Sequence, residues 1–321
     1  MWAVRGVPRF TPFQQVRRFH QTRPAPFINE VLDVSTGFIQ GVHSVSHLPW
    51  VLSLPLTALI VRMGVALPLQ VFTKVQARKD SDLTPLVLAW RQHYQRNIGR
   101  GSSGGTASAL HAKRLITEQV AEQHRALRRR WGVVPFWRPL NFVQMPIWIA
   151  IMESIRAMSG NDKGLVPYLR SLFSSSAPDP TAVQLAIEPS LATEGALWFP
   201  DLLAGDSTGI LPVLLTVSIL VNVRSGWKVP TMESIADLPR VEMAKKLSNI
   251  GLRTFIQVLA LNVGIYSYLY QMPTALMVYW LTSTNVATLQ SFVVQKYMFP
   301  TPSLKVWRPI YIGYSQPIAK A

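Results

Sequence analysis

The sequence predicts an all-α polytopic membrane protein with five transmembrane helices and a polar helical hairpin between the first two. Of its 321 residues, 49% are hydrophobic and only 15% are charged, whereas about 25% charged residues is usual in soluble proteins. Long apolar runs recur along the chain, and basic residues concentrate in alternate polar segments. These three observations are typical of a protein that crosses a membrane several times.

The first 26 residues are basic and contain no acid. They carry five arginines, and the first acidic residue is Glu30. An arginine-rich, acid-free N-terminus of this length is typical of a mitochondrial targeting peptide. Arg17, Arg18 and Phe19 resemble a matrix processing site, with cleavage expected near His20. The alternative is a basic tail that contacts lipid or RNA.

Segment 27–47 precedes the first apolar run and is predicted to be an amphipathic helix lying in the membrane interface. It contains no Lys or Arg. Its apolar residues fall near one helical face and are Ile28, Val31, Leu32, Phe38, Val42 and Val45. Ser35 interrupts this stripe.

The first predicted span, 48–72, has a single charge, Arg62, near its middle. An arginine at that depth costs roughly 2.5–3.5 kcal/mol on insertion scales. Such a residue is expected to face a wet cavity or a partner. The alternative is a soluble core helix whose arginine reaches a surface carboxylate, which the apolar runs downstream make less favourable.

A polar insertion, 73–135, follows the first span and is predicted to be an antiparallel helical hairpin. Thr84 and Pro85 resemble an N-cap and first helical residue, and a Gly/Ser-rich tip occupies 99–108. The tip formally matches a dinucleotide-binding glycine pattern, but no strand precedes it. No cofactor is therefore predicted.

Four further spans are predicted within 136–159 and at 210–223, 254–271 and 273–295. In the second span, Pro139 and Pro146 are expected to kink the helix. Glu153 and Arg156 lie three residues apart and are expected to pair.

The connections between these spans carry local signals of their own. The loop 160–208 contains the aromatic stretch GALWFPDL, which is expected to pack as a lid on the membrane surface. Asp206 or Ser207 is expected to cap the third span, and Met272 with Pro273 predicts a tight return between the last two.

The distribution of charge predicts the orientation in the membrane. Segments 73–139, 224–253 and 296–321 hold 13, 6 and 4 basic residues, whereas 27–47 and 160–208 hold 0 and 2. Because basic loops stay on the side of synthesis, the mature N-terminus is expected in the intermembrane space and the C-terminus in the matrix. The net charge of +16 therefore does not require a nucleic-acid partner.

Cysteine is absent, which excludes disulfides, thiol catalysis and cysteine-ligated metals. The six histidines show no metal-ligand spacing, so no metal site is predicted.

Four stretches resemble the YidC/Oxa/Alb family of membrane protein insertases. The first combines Thr57 and Arg62 with Pro68-Leu69, and the second is QMPIW at 144–148. The third is GALWFPDL at 195–202 with Asp206 and the ILP that starts at Ile210, and the fourth is PTALMVYW at 273–280 with TSTN at 282–285 and Gln290. They occur in the family's order and spacing.

The resemblance implies five helices around a hydrophilic groove that opens to the matrix and to lipid. Arg62 matches the family's groove arginine, and Gln144 matches a polar residue of the groove wall. The hairpin is implied to be mobile and to receive substrate. The resemblance implies neither an enzymatic activity nor a cofactor.

Further polar residues at membrane depth are candidates for the substrate groove: Asn141, Ser218, Asn222, Ser283 and Asn285. Each side chain is equally compatible with a structural hydrogen bond between helices. The motif residues expected to have structural roles are Pro146, Trp198, Phe199, Asp201, Pro273, Tyr279 and Trp280. Trp198 and Phe199 are expected to be interface anchors.

The short tail 296–321 and the amino-acid sequence of 197–212 resemble the cytochrome c oxidase assembly branch of the family. That branch exports the C-terminal part of oxidase subunit II, so the expected partners are this substrate, oxidase assembly factors and the bilayer. No stable ribosome binding is expected, because the tail has four basic residues and four prolines. The alternatives are a general inner-membrane insertase, a non-translocating assembly scaffold, and a solute transporter or channel, which the lack of internal repeats disfavours.

Overall fold

The computed structural model describes residues 27–101, 106–161, 187–227 and 240–301. These residues contain eight α-helices and no β-strand, with only two isolated β-bridges, between Ala196 and Phe199 and between Gly205 and Pro273. The expected all-helical class is therefore confirmed for this part of the chain. The expected targeting peptide and almost all of the matrix tail lie outside the described residues.

The helices follow each other in one bundle with a projecting hairpin. Their bounds are α1 Phe27–Ser46, α2 Trp50–Val61, α3 Leu67–Gly101, α4 Thr106–Arg130, α5 Gln144–Met158, α6 Ile210–Gly226, α7 Arg240–Leu269 and α8 Thr274–Val293. A π-helical turn, Arg62–Ala66, joins α2 to α3 without a break, and a second π-helical turn, Val294–Met298, follows α8.

Two helical segments among the described residues are long and apolar enough to cross a membrane, and they are Trp50–Ile98 and Lys246–Leu269. The first has 49 residues, or about 73 Å at roughly 1.5 Å per residue, whereas a bilayer core is about 30 Å thick. Its C-terminal half therefore extends beyond an apolar layer, where it pairs with α4 as the expected hairpin. The apolar helix α6 is shorter, with 17 residues.

Three prolines act differently from the expectation. Thr84 and Pro85 do not start a helix, because α3 begins at Leu67 and continues through them; the Thr84 hydroxyl donates to the Asp80 carbonyl over 3.3 Å. Pro139 lies at the start of the 3₁₀ segment Arg138–Val143, and Pro146 lies in the first turn of α5. At those positions the missing N–H has no intrahelical acceptor to lose, so both prolines lie at the start of a helical segment and not in its interior.

Helix α1 forms as expected but buries a different stripe. Leu32, Thr36 and Ile39 are buried, whereas Phe38 and Val45 are 39% and 82% exposed. The buried residues face α5, where the Ser154 hydroxyl donates to the Leu32 carbonyl over 3.3 Å. The tertiary contact with α5 therefore selects the buried face of α1.

The bundle core lies around the N-terminal halves of α2 and α8 and the C-terminal half of α5. Its buried members include Trp50, Leu54, Ala58, Ile151, Ile155, Met158, Ala275, Leu276 and Tyr279. In α2 these residues recur every fourth position, which places them on one helical face. Inside a membrane such packing stabilises mainly through van der Waals contact, since lipid is as apolar as the core.

The loop 187–209 closes this end of the bundle by binding helix N-termini. The backbone N–H of Trp50 donates to the Glu194 carboxylate over 2.8 Å, and that of Leu211 donates to Asp206 over 2.7 Å. The Ala204 carbonyl accepts bonds from the Thr274 N–H and hydroxyl over 2.9 and 2.7 Å. Asp206 therefore satisfies a free N–H of the helix start as expected, although the N-cap residue itself is Gly209. The loop satisfies donors that helix starts leave open.

The lid predicted from GALWFPDL is partly inserted into the bundle. Leu202 is fully buried, whereas Trp198 is 40% exposed. Gly195 allows the tight turn, because a Cβ there would clash with the Phe199 carbonyl oxygen.

Candidate functional site

Arg62 is the first residue of the π-helical turn Arg62–Ala66. Two features of the sequence favour a wide turn at this point. Pro68 has no N–H for the Gly64 carbonyl, and its ring excludes that carbonyl from the normal helical position. Gly64 itself weakens the regular helix. Such wide turns occur frequently at functional sites.

The Arg62 side chain reaches across to α8. Its Nε donates to the Ser283 hydroxyl over 2.9 Å, and the side chain is half-buried. Among the described residues no carboxylate lies within ion-pair distance of it, and its terminal amino groups have no hydrogen-bond partner there. A guanidinium has five donors, so most of its capacity is available to another molecule.

Polar contacts continue from Arg62 toward the hairpin. The Gln70 amide donates to the Ser291 hydroxyl over 2.8 Å, and the Thr73 hydroxyl donates to Asn141 Oδ1 over 2.9 Å. The Gln76 side chain accepts the Val134 N–H over 3.1 Å. We call these contacts, together with Arg62–Ser283, the polar row. The row occupies one half of the bundle, and the apolar core and loop 187–209 occupy the other.

Asn222 lies on the other side of α8. Its amide donates to the Thr288 hydroxyl over 2.8 Å and to the Thr284 carbonyl over 3.4 Å. Ser218 is half-buried one turn earlier on α6. Asn222 therefore joins α6 to α8 and does not contact Arg62.

The structure brings only some of the predicted groove residues together. Arg62 meets Ser283 directly, and Asn141 joins the same polar row through Thr73. Gln144 is half-buried at the start of α5, and Asn285 is exposed on α8. The side chains of these two residues, and that of Ser218, make no hydrogen bond within the described part of the chain.

Sequence reasoning missed several members of the polar row. Gln290 belongs to one of the family motifs and is not among the predicted groove residues, yet its amide donates to the Arg62 carbonyl over 3.0 Å. Gln70, Thr73, Gln76 and Ser291 were not selected. A polar residue every third or fourth position along one helix face was the available signal, but 70–76 lies at the border of the predicted span.

The residues expected to have structural roles are mostly buried or paired. Pro273 and Tyr279 are buried, and Trp280 packs edge-on against Trp148 with ring centroids 5.6 Å apart. The Asp201 carboxylate accepts the Leu203 N–H over 2.8 Å. Trp198 and Phe199 contact each other edge-on at 5.3 Å. Pro146, in the first turn of α5, and Trp198 are the exposed members of this set.

Asp80 holds the base of the hairpin. Its two carboxylate oxygens accept Arg128 Nε and Nη2, both over 2.8 Å, and Oδ2 also accepts Arg138 Nη2 over 3.2 Å. His124 Nε2 lies 3.5 Å from Oδ1. Burial alone would raise the pKa of the Asp80 carboxyl, but the bonds and charge of Arg128, with Arg138 and His124, lower it below its ordinary value. The carboxylate is therefore charged and ties α3 to α4 and to the segment before α5.

The predicted pairing of Glu153 with Arg156 is confirmed. Arg156 Nη2 donates to Glu153 Oε1 over 2.8 Å, and both residues are buried. Arg156 Nε and Nη1 have no hydrogen-bond partner among the residues that the structure describes. Within the described residues, no group of three or more His, Asp or Glu side chains is arranged to hold a metal ion.

Membrane-length apolar helices, a basic polar hairpin and a half-buried arginine without a carboxylate partner among the described residues are typical of a helical membrane protein. Residues 41–301 match the family described as 60Kd inner membrane protein. The chain belongs to this family, which is the YidC/Oxa family of insertases, and the resemblance noted in the sequence is confirmed.

The chain is similar to mitochondrial proteins from three organisms. The chain is 25% identical over 301 residues to the human cytochrome c oxidase assembly protein COX18, mitochondrial, covering 92% of this chain and 78% of that protein. It is 21% identical over 282 residues to the Saccharomyces cerevisiae protein of the same name, covering 79% and 83%. It is 29% identical over 256 residues to the Arabidopsis thaliana mitochondrial inner membrane protein OXA1-like, covering 78% of this chain and 46% of that protein.

Proposed function

We propose that this chain is a membrane protein insertase of the mitochondrial inner membrane, which exports the C-terminal part of cytochrome c oxidase subunit II during oxidase assembly. Membership of the insertase family and the names of the human and yeast relatives support this function. The single observation that carries the mechanism is Arg62, a half-buried cation bound only to the Ser283 hydroxyl among the described residues.

The energetics of crossing a bilayer explain how such a site assists a substrate. A translocating tail must move its polar backbone and side chains through hydrocarbon, where each unsatisfied group costs several kcal/mol. The polar row provides substitute hydrogen-bond partners over part of that distance. Arg62, at the inner end of the row, attracts acidic residues of the tail, and it acts strongly because the surrounding dielectric is low.

The membrane arrangement belongs to the same proposal. We infer five spans, an α1 that lies in the interface, and a groove lined by Arg62, Asn141, Gln144 and Ser283. The basic hairpin faces the matrix and loop 187–209 faces the intermembrane space, since basic segments remain on the side of synthesis. Nothing in this mechanism makes or breaks a covalent bond, so we infer that the chain is not an enzyme.

A general inner-membrane insertase is the second candidate. The 29% identity to the Arabidopsis OXA1-like protein favours it. Under that candidate many inner-membrane proteins depend on this chain, whereas under the leading proposal the dependence is confined to the oxidase.

The deciding experiment compares inner membranes from mitochondria with and without this chain by quantitative proteomics, with protease protection of the subunit II tail. The proposal expects loss of oxidase subunits and a tail that stays protected on the matrix side. Broad loss of unrelated inner-membrane proteins would favour the general insertase. A correctly exported tail together with a defective oxidase would instead indicate an assembly scaffold.

A further inference from the structure

Gln290 is a buried residue of α8 that contacts the backbone of Arg62. Its side-chain Nε2 donates to the Arg62 carbonyl over 3.0 Å and lies 3.3 Å from Met63 Sδ. The residue is only 6% exposed. A buried amide with these contacts restricts the backbone at the position where the helix widens.

One face of α8 contacts both the side chain and the backbone carbonyl of Arg62. Ser283 and Gln290 are seven residues apart, which places them on one face two turns apart. Ser283 binds the guanidinium and Gln290 binds the carbonyl. In a helix, side chains tilt toward the N-terminus and carbonyls point toward the C-terminus. The guanidinium of Arg62 therefore lies on the N-terminal side of its carbonyl. Ser283 likewise precedes Gln290 along α8, so the two contacts have the order expected for α2 and α8 running in the same direction.

The wide turn controls where the Arg62 side chain points. In this turn the Arg62 carbonyl accepts the N–H of Leu67, whereas a regular helix would bond it to the residue four positions later. Closing the turn into a regular helix would rotate the preceding helix by about 100° relative to α3, the angle of one residue. Because Gln70 and Thr73 anchor α3 to its neighbours, that rotation would move Arg62 away from Ser283.

We propose that Gln290 is a positioning residue for Arg62, fixing the π-helical turn so that the guanidinium remains directed into the polar row. The inference rests on the proposed function of Arg62. It predicts that Gln290 affects substrate selection by charge, an effect that a merely structural amide would not have.

The test reconstitutes the full chain in liposomes and measures export of two otherwise identical tails, one acidic and one neutral. The readout is the ratio of acidic to neutral export. Gln290→Met removes the amide donor but keeps the length and volume of the side chain. It is expected to lower the ratio to that of Arg62→Ala, and to have no further effect on the ratio when combined with Arg62→Ala.

Asn222→Leu is the matched control, because it removes a similar amide bond, from α6 to Thr288 of α8, at a residue that does not contact Arg62. This change is expected to alter export of both tails equally and to leave the ratio at the wild-type value. If Gln290→Met is not recovered as a folded protein, Pro68→Ala tests the same turn with Gln290 intact. By restoring the missing backbone donor it favours a regular helix, and the ratio is again expected to fall.

The outcomes separate this inference from the proposed function. A lowered ratio in Arg62→Ala with a wild-type ratio in Gln290→Met overturns the role of Gln290 and leaves the function of Arg62 in place. Equal loss of ratio in Gln290→Met and Asn222→Leu overturns it as well, and so does a wild-type ratio in Pro68→Ala where that variant is the one tested. A wild-type ratio in Arg62→Ala overturns the steering role of Arg62 and, with it, the role of Gln290.

Discussion

Arg62 and Ser283 lie 221 residues apart in the sequence and meet where Arg62 Nε donates to Ser283 Oγ over 2.9 Å. The bond joins the π-helical turn after α2 to α8 at the inner end of the polar row. Among the described residues it is the guanidinium's one hydrogen bond, so the charge itself stays uncompensated. A cation in this state attracts a carboxylate from outside the bundle.

The first prediction concerns that charge. Arg62→Ala should leave the bundle folded, because the side chain makes one hydrogen bond, from its charged guanidinium to a hydroxyl, worth about 1.5–3 kcal/mol. It should slow export increasingly as a series of tails becomes more acidic, while Arg62→Lys should retain most of the charge dependence. The measurement is protease protection of the tails in proteoliposomes. Equal export by wild type and Arg62→Ala across the series would refute charge steering.

The second prediction supplies Arg62 with an internal partner. Ser283→Asp places a carboxylate where the hydroxyl now accepts the Arg62 Nε bond, so the substrate must compete with a permanent ion pair. Preference for acidic tails should fall to the level of Arg62→Ala. Ser283→Asn has the same shape without the charge and should keep the preference. A similar loss in both variants would point to steric disturbance rather than to compensation of charge.

The third prediction concerns the hairpin. Asp80→Asn should weaken the junction between α3, α4 and the following segment, and proteolysis of the hairpin should become several-fold faster. Because the pKa of Asp80 is below its ordinary value, its stabilisation is complete above about pH 4 and is lost as the pH falls further.

Glu118→Gln is the control for the hairpin, since it breaks the exposed Arg114–Glu118 pair. Exposed pairs contribute about 0–1 kcal/mol, so this variant should be cleaved at nearly the wild-type rate. Equal cleavage rates in Asp80→Asn and Glu118→Gln would mean that Asp80 does not hold the hairpin base.

The fourth prediction concerns the N-terminus of α6. Asp206 accepts bonds from the Leu211 N–H and from the Thr208 hydroxyl, the latter over 2.6 Å. Asp206→Ala should lower stability by about 0.5–2 kcal/mol, the usual range for a lost cap, as measured by thermal unfolding in detergent. Ser207→Ala, at the exposed neighbouring residue, should change little. The idea fails if the two variants unfold at the same temperature.

The pKa of Asp206 gives this effect a pH dependence. Burial alone would raise the pKa, but bonds from Thr208 and Leu211 lower it below the ordinary value. The difference in stability between wild type and Asp206→Ala should therefore be constant above about pH 4 and shrink at lower pH.

The fifth prediction concerns the length of α6. Its 17 residues span about 25 Å at roughly 1.5 Å each, less than a hydrocarbon core of about 30 Å. The bilayer beside this helix is therefore expected to thin, which lowers the barrier for a substrate. Four leucines inserted after Ile219 should slow export, and liposomes of shorter-chain lipids should restore the rate. An unchanged rate with correct topology would contradict local thinning.

The sequence alone identified the features that depend on local chemistry. Helical periodicity and a Gly/Ser tip predicted the hairpin, and the three-residue spacing predicted the Glu153–Arg156 pair. Asp206 as a cap and the return at Met272 and Pro273 followed from the preferences of single residues. The helix start predicted at Thr84 and Pro85 was wrong. A helix that is already formed and packed can continue through a proline whose local signal suggests a start.

Only the tertiary structure decided which polar residues meet. Ser283 faces Arg62 and Gln290 binds its carbonyl from 228 residues away, whereas Asn222 turns to the other face of α8 and Asn285 remains exposed. These pairings depend on the rotation of each helix about its axis and on one extra residue in the turn at Arg62–Ala66. A residue's position in the sequence fixes its depth in a helix, but the packing of distant helices fixes the direction in which it points.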